Sequence, residues 1–418
     1  MISPKEYMRR RRQLMRMAGR DAIVVVPAAP ERIRSNDSAY PYRQDSDFHY
    51  LTGFPEPEAV LVLVPARRHG EAILFCRDRD PGREIWDGPR AGPEGAVERH
   101  GVDDAFPIDD IDDILPGLLE GRSRVYYHFG RDSDFDLRVI GWVKRVQTLR
   151  GPATRAPHEF VALSHLLHDL RLFKSRDELR LMRRAARVAA AGHLRAMRVA
   201  APGLAEHAIE AELLHTFRSA GAVPSYEPIV GGGANACVLH YRANNAVLRD
   251  GDLLLIDAGA EVECYASDIT RTFPINGRFS AEQRALYEVV LAAQLAAIAE
   301  VRPGRPWTAA HEAAVGVIAQ GLCDLGLLRG SPREAIERGA YKRFFPHKTG
   351  HWLGLDVHDV GDYRVDGAAR ELEPAMVLTV EPGIYVPSDA KGVAAKWRGI
   401  GIRIEDDVVV TERGPEVV

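Results

Sequence analysis

The sequence predicts an α/β (α+β) protein of two domains, and three observations carry that expectation. The first third alternates short β-branched runs with helical segments. A stretch with Gly, Pro and Thr, Gly151–Pro157, then reads as a linker. Beyond it, a helix–helix–strand unit occurs twice. The length of 418 residues agrees, because about 150 residues per domain gives two or three domains. The expected domains are residues 1–172 and 173–418, with the boundary falling between about 151 and 172.

In the first domain, Ala22–Val26 and Val60–Val64 are apolar runs bounded by Pro and Gly, as in buried strands. Ala72–Cys76 and Arg124–His128 have the same character, and helical segments lie around Ile111–Leu119 and Phe135–Val143. The basic run Arg9–Arg12 belongs to an amphipathic helix whose arginine face is expected to be solvated. In the second domain, capping boxes begin at Ser175 (Ser-Arg-Asp-Glu) and Ser280 (Ser-Ala-Glu-Gln). Each opens a helix that ends near a Pro-Gly pair, at 202 and at 303, and a second helix follows. The offsets, 105 and 101 residues, agree closely. Each half then leads into strands that carry acids: Leu253–Ile256 into Asp257, Ala258–Thr272 with Asp268, Val377–Val380 into Glu381, and Ile400–Ile404 into Glu405. One site shared at a pseudo-twofold interface is the expected consequence.

Composition excludes several classes. With 46% hydrophobic and 27% charged residues the chain can build sizeable cores, so disorder is not its dominant state. Lys+Arg is 55 against Asp+Glu 59, a net charge of −4 that gives no global reason to bind nucleic acid or an anionic membrane. The longest apolar stretches fall far short of the ~20 residues of a membrane span. No signal-peptide pattern follows the basic N-terminal run. Cys76, Cys237, Cys264 and Cys323 form no C-x-x-C pair, which points to reduced thiols acting mostly as small core residues, and to the cytoplasm.

An aspartate that ends an apolar strand is costly, since an isolated buried carboxylate loses several kcal/mol or is neutralised. Each acid also has a simpler reading. Asp257 could cap the turn at Ala258-Gly259, Asp268 could pair with Arg271, Glu381-Pro382-Gly383 is a turn by composition, and Glu405 could pair with Arg403. Together, in matching places of a repeat, the four favour a metal site. An oxygen-rich set with one imidazole favours Mn²⁺, and two ions ~3.5–4 Å apart would hold a bridging hydroxide and polarise a carbonyl.

Fifteen histidines prompt a search for ligands. In a straight strand His351 and His358 would face opposite sides, because they are seven residues apart, so one ligand and one substrate-contacting histidine is the economical assignment. His240 follows the Gly231–Gly233 segment, expected to be a flexible loop beside the site. His69, His100 and His207 are expected on the surface.

These motifs carry a resemblance. Leu255-Ile-Asp257-Ala-Gly259, Ser267-Asp268-Ile-Thr-Arg-Thr272, Gly350-His351-Trp-Leu-Gly354 through Val357-His358-Asp359, Thr379-Val-Glu381-Pro-Gly383 and Arg403-Ile-Glu405-Asp406 occur in that order. The pattern resembles the creatinase/methionine-aminopeptidase superfamily, with its pita-bread catalytic fold, and within it the Xaa-Pro aminopeptidases (aminopeptidase P). The first domain is similar as well, through Arg34-Ser-Asn-Asp37, Tyr40-Pro-Tyr-Arg-Gln44 and Asp47-Phe-His-Tyr-Leu-Thr-Gly-Phe54. The departures are the loop Pro346–Gly350, where many bacterial members place a small residue before the histidine, and the end at Val418, where many relatives continue.

The resemblance implies a creatinase-like N-terminal domain, a pita-bread catalytic domain with a pseudo-twofold repeat, and hydrolysis of the bond between an N-terminal residue and a following proline. It implies two divalent ions, Mn²⁺ first, with Zn²⁺ or Co²⁺ possible. Asp257 would be a terminal ligand, Asp268 and Glu405 would bridge, and His351 and Glu381 would complete the second ion's shell. His240 and His358 would contact substrate, His347 and Arg403 would line the pocket with Tyr385 at its edge, and Glu381 would move protons. It further implies a homodimer or homotetramer in which Trp86 and Asp37 approach a neighbour's site. The alternatives are a prolidase restricted to Xaa-Pro dipeptides and, in a different class, a pita-bread binding protein without catalysis.

Overall fold

The computed structural model describes residues 2–149 and 155–418. The linker expected at Gly151–Pro157 therefore lies largely outside the described residues. The described chain divides into two compact units, Met1–Arg171 and Leu172–Val418.

The first unit is built on a six-stranded sheet among the described residues. Its order is Asp104–Pro107, Ala72–Cys76, Val60–Leu63, Ala22–Pro27, Arg124–Tyr127 and Glu159–Ala162. The four strands read from sequence form its middle, and both edges escape that reading because their polar residues break the apolar pattern. Parallel and antiparallel pairs are mixed: Ala22–Pro27 runs antiparallel to Val60–Leu63 and parallel to Arg124–Tyr127. Apart from Arg124, the inner strands carry apolar or aromatic residues because both faces are covered. Helix Ile111–Leu119 stands where the sequence placed it, and its neighbour extends to Ser133–Thr148, capped by the Asp132 carboxylate. The Trp142 indole N–H donates to Asp112 at 2.7 Å and ties the two helices together.

The opening helix, Pro4–Ala18, corrects the expectation of a solvated arginine face. Arg10 and Arg11 are buried. Their guanidinium groups donate to the carbonyls of Tyr50 (3.0 Å) and Leu51 (2.8 Å). These carbonyls lie in the last turn of helix Ser46–Thr52, where backbone acceptors lack intrahelical partners. Burial pushes Arg11 down to about 10. Elsewhere in this unit Asp47 lies within 3.0 Å of His128 Nε2, but it also accepts from Arg171 (2.7 Å) and Arg131 (3.2 Å). Two guanidinium groups balance this carboxylate, so it needs no cation.

The second unit contains the repeat. Helices Arg176–Val199 and Ala281–Glu300 each start with a complete capping box, at Ser175–Glu178 and Ser280–Gln283. Each is followed by a second helix, Glu206–Ser219 and Thr308–Asp324. Strand Leu253–Asp257 lies between Ile229–Gly232 and Thr270–Pro274, antiparallel to both. In the other half, Val377–Val380 pairs with Asp406–Thr411 and Gly383–Val386 with Ile400–Arg403. The halves meet where the Glu405 N–H donates to the Thr270 carbonyl (3.1 Å) and the Thr272 hydroxyl to the Arg403 carbonyl (2.9 Å). The apolar floor beneath this seam includes Trp352, Phe344, Phe345 and Val380.

Other expectations change in detail. Ala258–Thr272 is not one strand but a short hairpin, Ala260–Val262 with Tyr265–Ala266, before Thr270–Pro274 begins. Gly231 and Gly232 belong to a strand and Gly233 opens a 3₁₀ turn, so this segment is not a loop. Only Cys76 among the cysteines is fully buried, and none of the four forms a disulfide. His100 is half-buried against Phe54, at 5.0 Å between ring centres, whereas His69 and His207 are exposed as expected. Among the described residues no helix is long and apolar enough to cross a membrane.

A buried ion pair, Lys174 with Asp359 at 2.9 Å, fastens the segment that carries His358. Breaking such a pair strands a charge, at a cost of about 3–5 kcal/mol. Lys174→Met should lower the thermal unfolding midpoint, and Lys174→Met with Asp359→Leu should recover most of the loss in the same scan.

Candidate metal centre

The acids arrive at one place because each ends a strand or follows one at the seam. Asp257 closes Leu253–Asp257, Glu381 follows Val377–Val380, and Glu405 follows Ile400–Arg403. Asp268 lies between the hairpin and strand Thr270–Pro274. All four line a cavity of about 430 Å³ together with His240, His347, His351, His358 and Arg403. Tyr385 stands behind that wall, its hydroxyl 2.9 Å from His347 Nε2 and accepting from Arg403 Nη1 at 3.0 Å. Trp86 and Asp37 are exposed residues of the first unit.

Two of the simpler readings, the ion pairs, do not hold. Arg271 pairs with Asp406 (2.6 Å) rather than with Asp268. Arg403 points not at Glu405 but at Asp257 (2.5 Å), with its other nitrogens on Tyr385 and the Thr270 hydroxyl. Asp268, Glu405 and His351 each present a ligand atom within 4.8 Å of the others. His351 offers the right nitrogen. Its Nδ1 lies 2.9 Å from the Trp352 carbonyl and so carries a proton; when the ring gives up its other proton, Nε2 becomes the lone-pair donor facing Asp268 (3.4 Å) and Glu381 (3.8 Å).

Electrostatics show how crowded the pocket is. Burial, and then repulsion from Asp268, Glu381 and Asp257, raises Glu405 well above the usual carboxylate range. Burial raises Glu381 to about 7, with His351 and Arg403 opposing and the neighbouring aspartates adding to the rise. Asp257 is raised by burial despite Arg403. His351 is pulled the other way: burial disfavours its charge, yet its contact with Asp268 and the charge of Glu381 lift it to about 9. Four carboxylates share the cavity with the cations Arg403 and Lys348 and with His351, so negative charge is in excess. Divalent cations are the missing counter-charge, and the donor set, oxygens with one imidazole, suits them.

His351 and His358 sit on one bent segment rather than a strand, and their rings come within 4.2 Å, edge to face. Alternation along a strand therefore does not apply. Backbone packing imposes the bend: a Cβ on Gly350 would lie 2.0 Å from the Thr379 carbonyl oxygen, and one on Gly354 would lie 2.1 Å from Asp359 Oδ2. Burial pushes His347 down to about 4 and lowers His358, so both rings are neutral near pH 7.

Sequence reasoning missed four supporting residues. The Tyr226 hydroxyl touches both Asp257 (2.5 Å) and Asp268. Thr270 donates to Glu405 at 2.5 Å, Asp407 accepts the backbone N–H of Asp268 at 3.1 Å, and Thr379 accepts that of His351 at 3.1 Å. Thr270, Asp407 and Thr379 sit one or two positions from quoted motif acids and were legible as neighbours. Tyr226 had no such signal.

The family model for metallopeptidase family M24 matches residues 180–412, and that for the aminopeptidase P N-terminal domain matches residues 7–127. Fold and site together thus define a metallopeptidase. The Xaa-Pro aminopeptidase of Escherichia coli K12 is 46% identical over 99% of this chain and 94% of its own length. A solved structure of Pseudomonas aeruginosa aminopeptidase PepP is 59% identical, with a TM-score of 0.98 over 100% of this chain and 94% of that one. Zinc-substituted E. coli aminopeptidase P in complex with product superposes with a TM-score of 0.96 at 45% identity, over 100% of this chain and 94% of that one. The chain belongs to metallopeptidase family M24 and, within it, to the aminopeptidase P group.

Losing an outer hydrogen-bond partner of metal ligands typically costs 10–100-fold in metal affinity. Tyr226→Phe should weaken divalent-metal binding by about that factor, read by titration calorimetry with Mn²⁺, while its circular dichroism stays unchanged.

Proposed function

We propose that this protein removes the N-terminal residue from peptides with proline in the second position, using two divalent ions held by Asp257, Asp268, His351, Glu381 and Glu405. The observation that carries the reading is the convergence of those five side chains on one cavity with His240, His347, His358 and Arg403. Asp257 would hold one ion, His351 with Glu381 would hold the other, and Asp268 and Glu405 would serve both. Mn²⁺ is the preferred ion on the oxygen-rich donor set, with Zn²⁺ and Co²⁺ as substitutes. When bound, such ions activate water and polarise the scissile carbonyl.

The chain's own residues do the rest. The Glu381 carboxylate takes a proton from the attacking water and delivers it to the proline nitrogen as the C–N bond breaks. His240 and His358 donate to the oxyanion that develops on the carbonyl oxygen. Arg403 holds Asp257 and Tyr385 in place, and Tyr385 in turn orients His347. The proline amide has no N–H, so recognition of this bond rests on ring shape rather than on a backbone hydrogen bond.

The reading extends to organisation. Residues 1–172 form the N-terminal domain and 173–418 the catalytic domain. Trp86, 83% exposed on helix Pro81–Asp87, and Asp37 are the contacts to a neighbouring copy in a homodimer or homotetramer. Four cysteines without a disulfide suit a cytoplasmic setting.

Two measurements test this. With Mn²⁺, an Arg-Pro-Pro peptide should release arginine and an Arg-Ala-Pro peptide should not. Cleavage of Xaa-Pro dipeptides with silence on tripeptides would mark a prolidase instead, and no proline-dependent release at all would leave only a binding role. Separately, Asp268→Ala and Glu405→Ala should each abolish tight metal binding and turnover; normal activity in either overturns the bridging assignment.

A further inference from the structure

His240 reaches the metal cavity from a turn, and that turn has an anchor which the proposed chemistry does not use. Glu206 opens helix Glu206–Ser219 and is completely buried. Its Oε1 accepts from the Gly232 N–H at 2.8 Å and from Asn235 Nδ2 at 2.9 Å. Its Oε2 accepts from the Tyr241 hydroxyl at 2.8 Å and from the Ala246 N–H at 2.9 Å. The Glu206 N–H in turn donates to the Ala246 carbonyl at 2.9 Å. Gly232 and Asn235 precede His240, and Tyr241 and Ala246 follow it, so one side chain grips the turn on both sides of the histidine.

All four donors are neutral, and both carboxylate oxygens act only as acceptors. A buried polar group of this kind is kept where its hydrogen bonds are all made. Its chemistry is specific, because a carboxamide has one accepting oxygen and would turn N–H donors toward groups that are donors themselves. Two further contacts hold the same segment. Asn244, buried and with φ at +43°, accepts the Val230 N–H (3.0 Å) and donates to the Pro228 carbonyl (2.8 Å) and to Glu210 (3.0 Å), one helical turn beyond Glu206. On the other side, the 3₁₀ turn Gly233–Cys237 lies so close to strand Ile400–Arg403 that a Cβ on Gly401 would be 2.3 Å from the Ala236 carbonyl oxygen. The exposed His240 thus stands on a base that is fixed to the first helix pair and to the strand that carries Arg403.

We propose that Glu206 is the positioning residue for His240: its carboxylate holds Tyr241, the next residue in the chain, and thereby fixes the imidazole within hydrogen-bond reach of the oxyanion. None of its four partners is a proposed metal ligand, so its effect falls on the chemical step rather than on metal loading. The proposal rests on the Xaa-Pro aminopeptidase reading and deepens it.

The test measures kcat and KM for Arg-Pro-Pro on the Mn²⁺-loaded full chain, and Mn²⁺ affinity by titration calorimetry. A catalytic group misplaced by about 1 Å loses about 100-fold in rate, so Glu206→Gln should lower kcat by roughly 10–100-fold while KM and Mn²⁺ affinity hold. Tyr241→Phe removes a single hydrogen bond and should lower kcat by about fivefold in a chain that circular dichroism shows to be folded. In the His240→Ala background neither substitution should slow turnover further, because the group they position is gone. Wild-type kcat in Glu206→Gln, losses that multiply in the His240→Ala background, or a fall in Mn²⁺ affinity as large as the fall in kcat each overturn the positioning role and leave the aminopeptidase reading intact. If Glu206→Gln does not fold, the cycle of Tyr241→Phe with His240→Ala decides by the same criterion. A wild-type chain that releases no arginine from Arg-Pro-Pro overturns both.

Discussion

Four carboxylates held in one cavity are the constraint around which the second unit is arranged. Asp268 and Glu405 are almost fully buried, and desolvation with mutual repulsion pushes Glu405, Glu381 and Asp257 upward. Such a cluster survives folding only if its members are held by something else, because an isolated buried charge costs several kcal/mol. The structure supplies that hold through two neutral hydroxyls, Tyr226 on Asp257 and Asp268 and Thr270 on Glu405, and through the Arg403 guanidinium on Asp257. Divalent ions complete the balance.

Duplication explains how the acids come to be opposite one another. Each half supplies a helix pair and a sheet, and the two halves join by backbone pairing at Thr270 and Glu405. Neither half alone offers more than two carboxylates, so the site exists only where the repeats meet. The bent segment with His351 and His358 closes one side, and it keeps its shape because Gly350 and Gly354 allow backbone and side chains to approach closer than any Cβ permits. The Lys174–Asp359 pair buries a salt link beneath the same segment.

Much of this was legible residue by residue. Capping boxes at Ser175 and Ser280 depend on local hydrogen bonds three residues apart, so they read directly from the chain and appear intact. The inner strands of the first sheet read as apolar runs because both faces are covered. The outer strands Asp104–Pro107 and Glu159–Ala162 did not, since an edge needs no such pattern. Arg10 and Arg11 misled for a different reason: arginine normally seeks water, and here it finds helix-end carbonyls 40 residues away in sequence. The odd spacing of the histidine pair speaks only for a straight strand, and the segment bends at Gly350 and Gly354.

The sequence by itself determined the two-part organisation, the repeat, the kind of donors available and the family they resemble, because periodicity, caps and short motifs are local properties. Tertiary structure alone decided which carboxylate faces which partner. It took Arg403 away from Glu405 and gave it to Asp257, sent Arg271 to Asp406, and brought Tyr226 to two aspartates 31 and 42 residues away. Those choices depend on the direction of side chains across a seam between two sheets, and no spacing within either half encodes that direction.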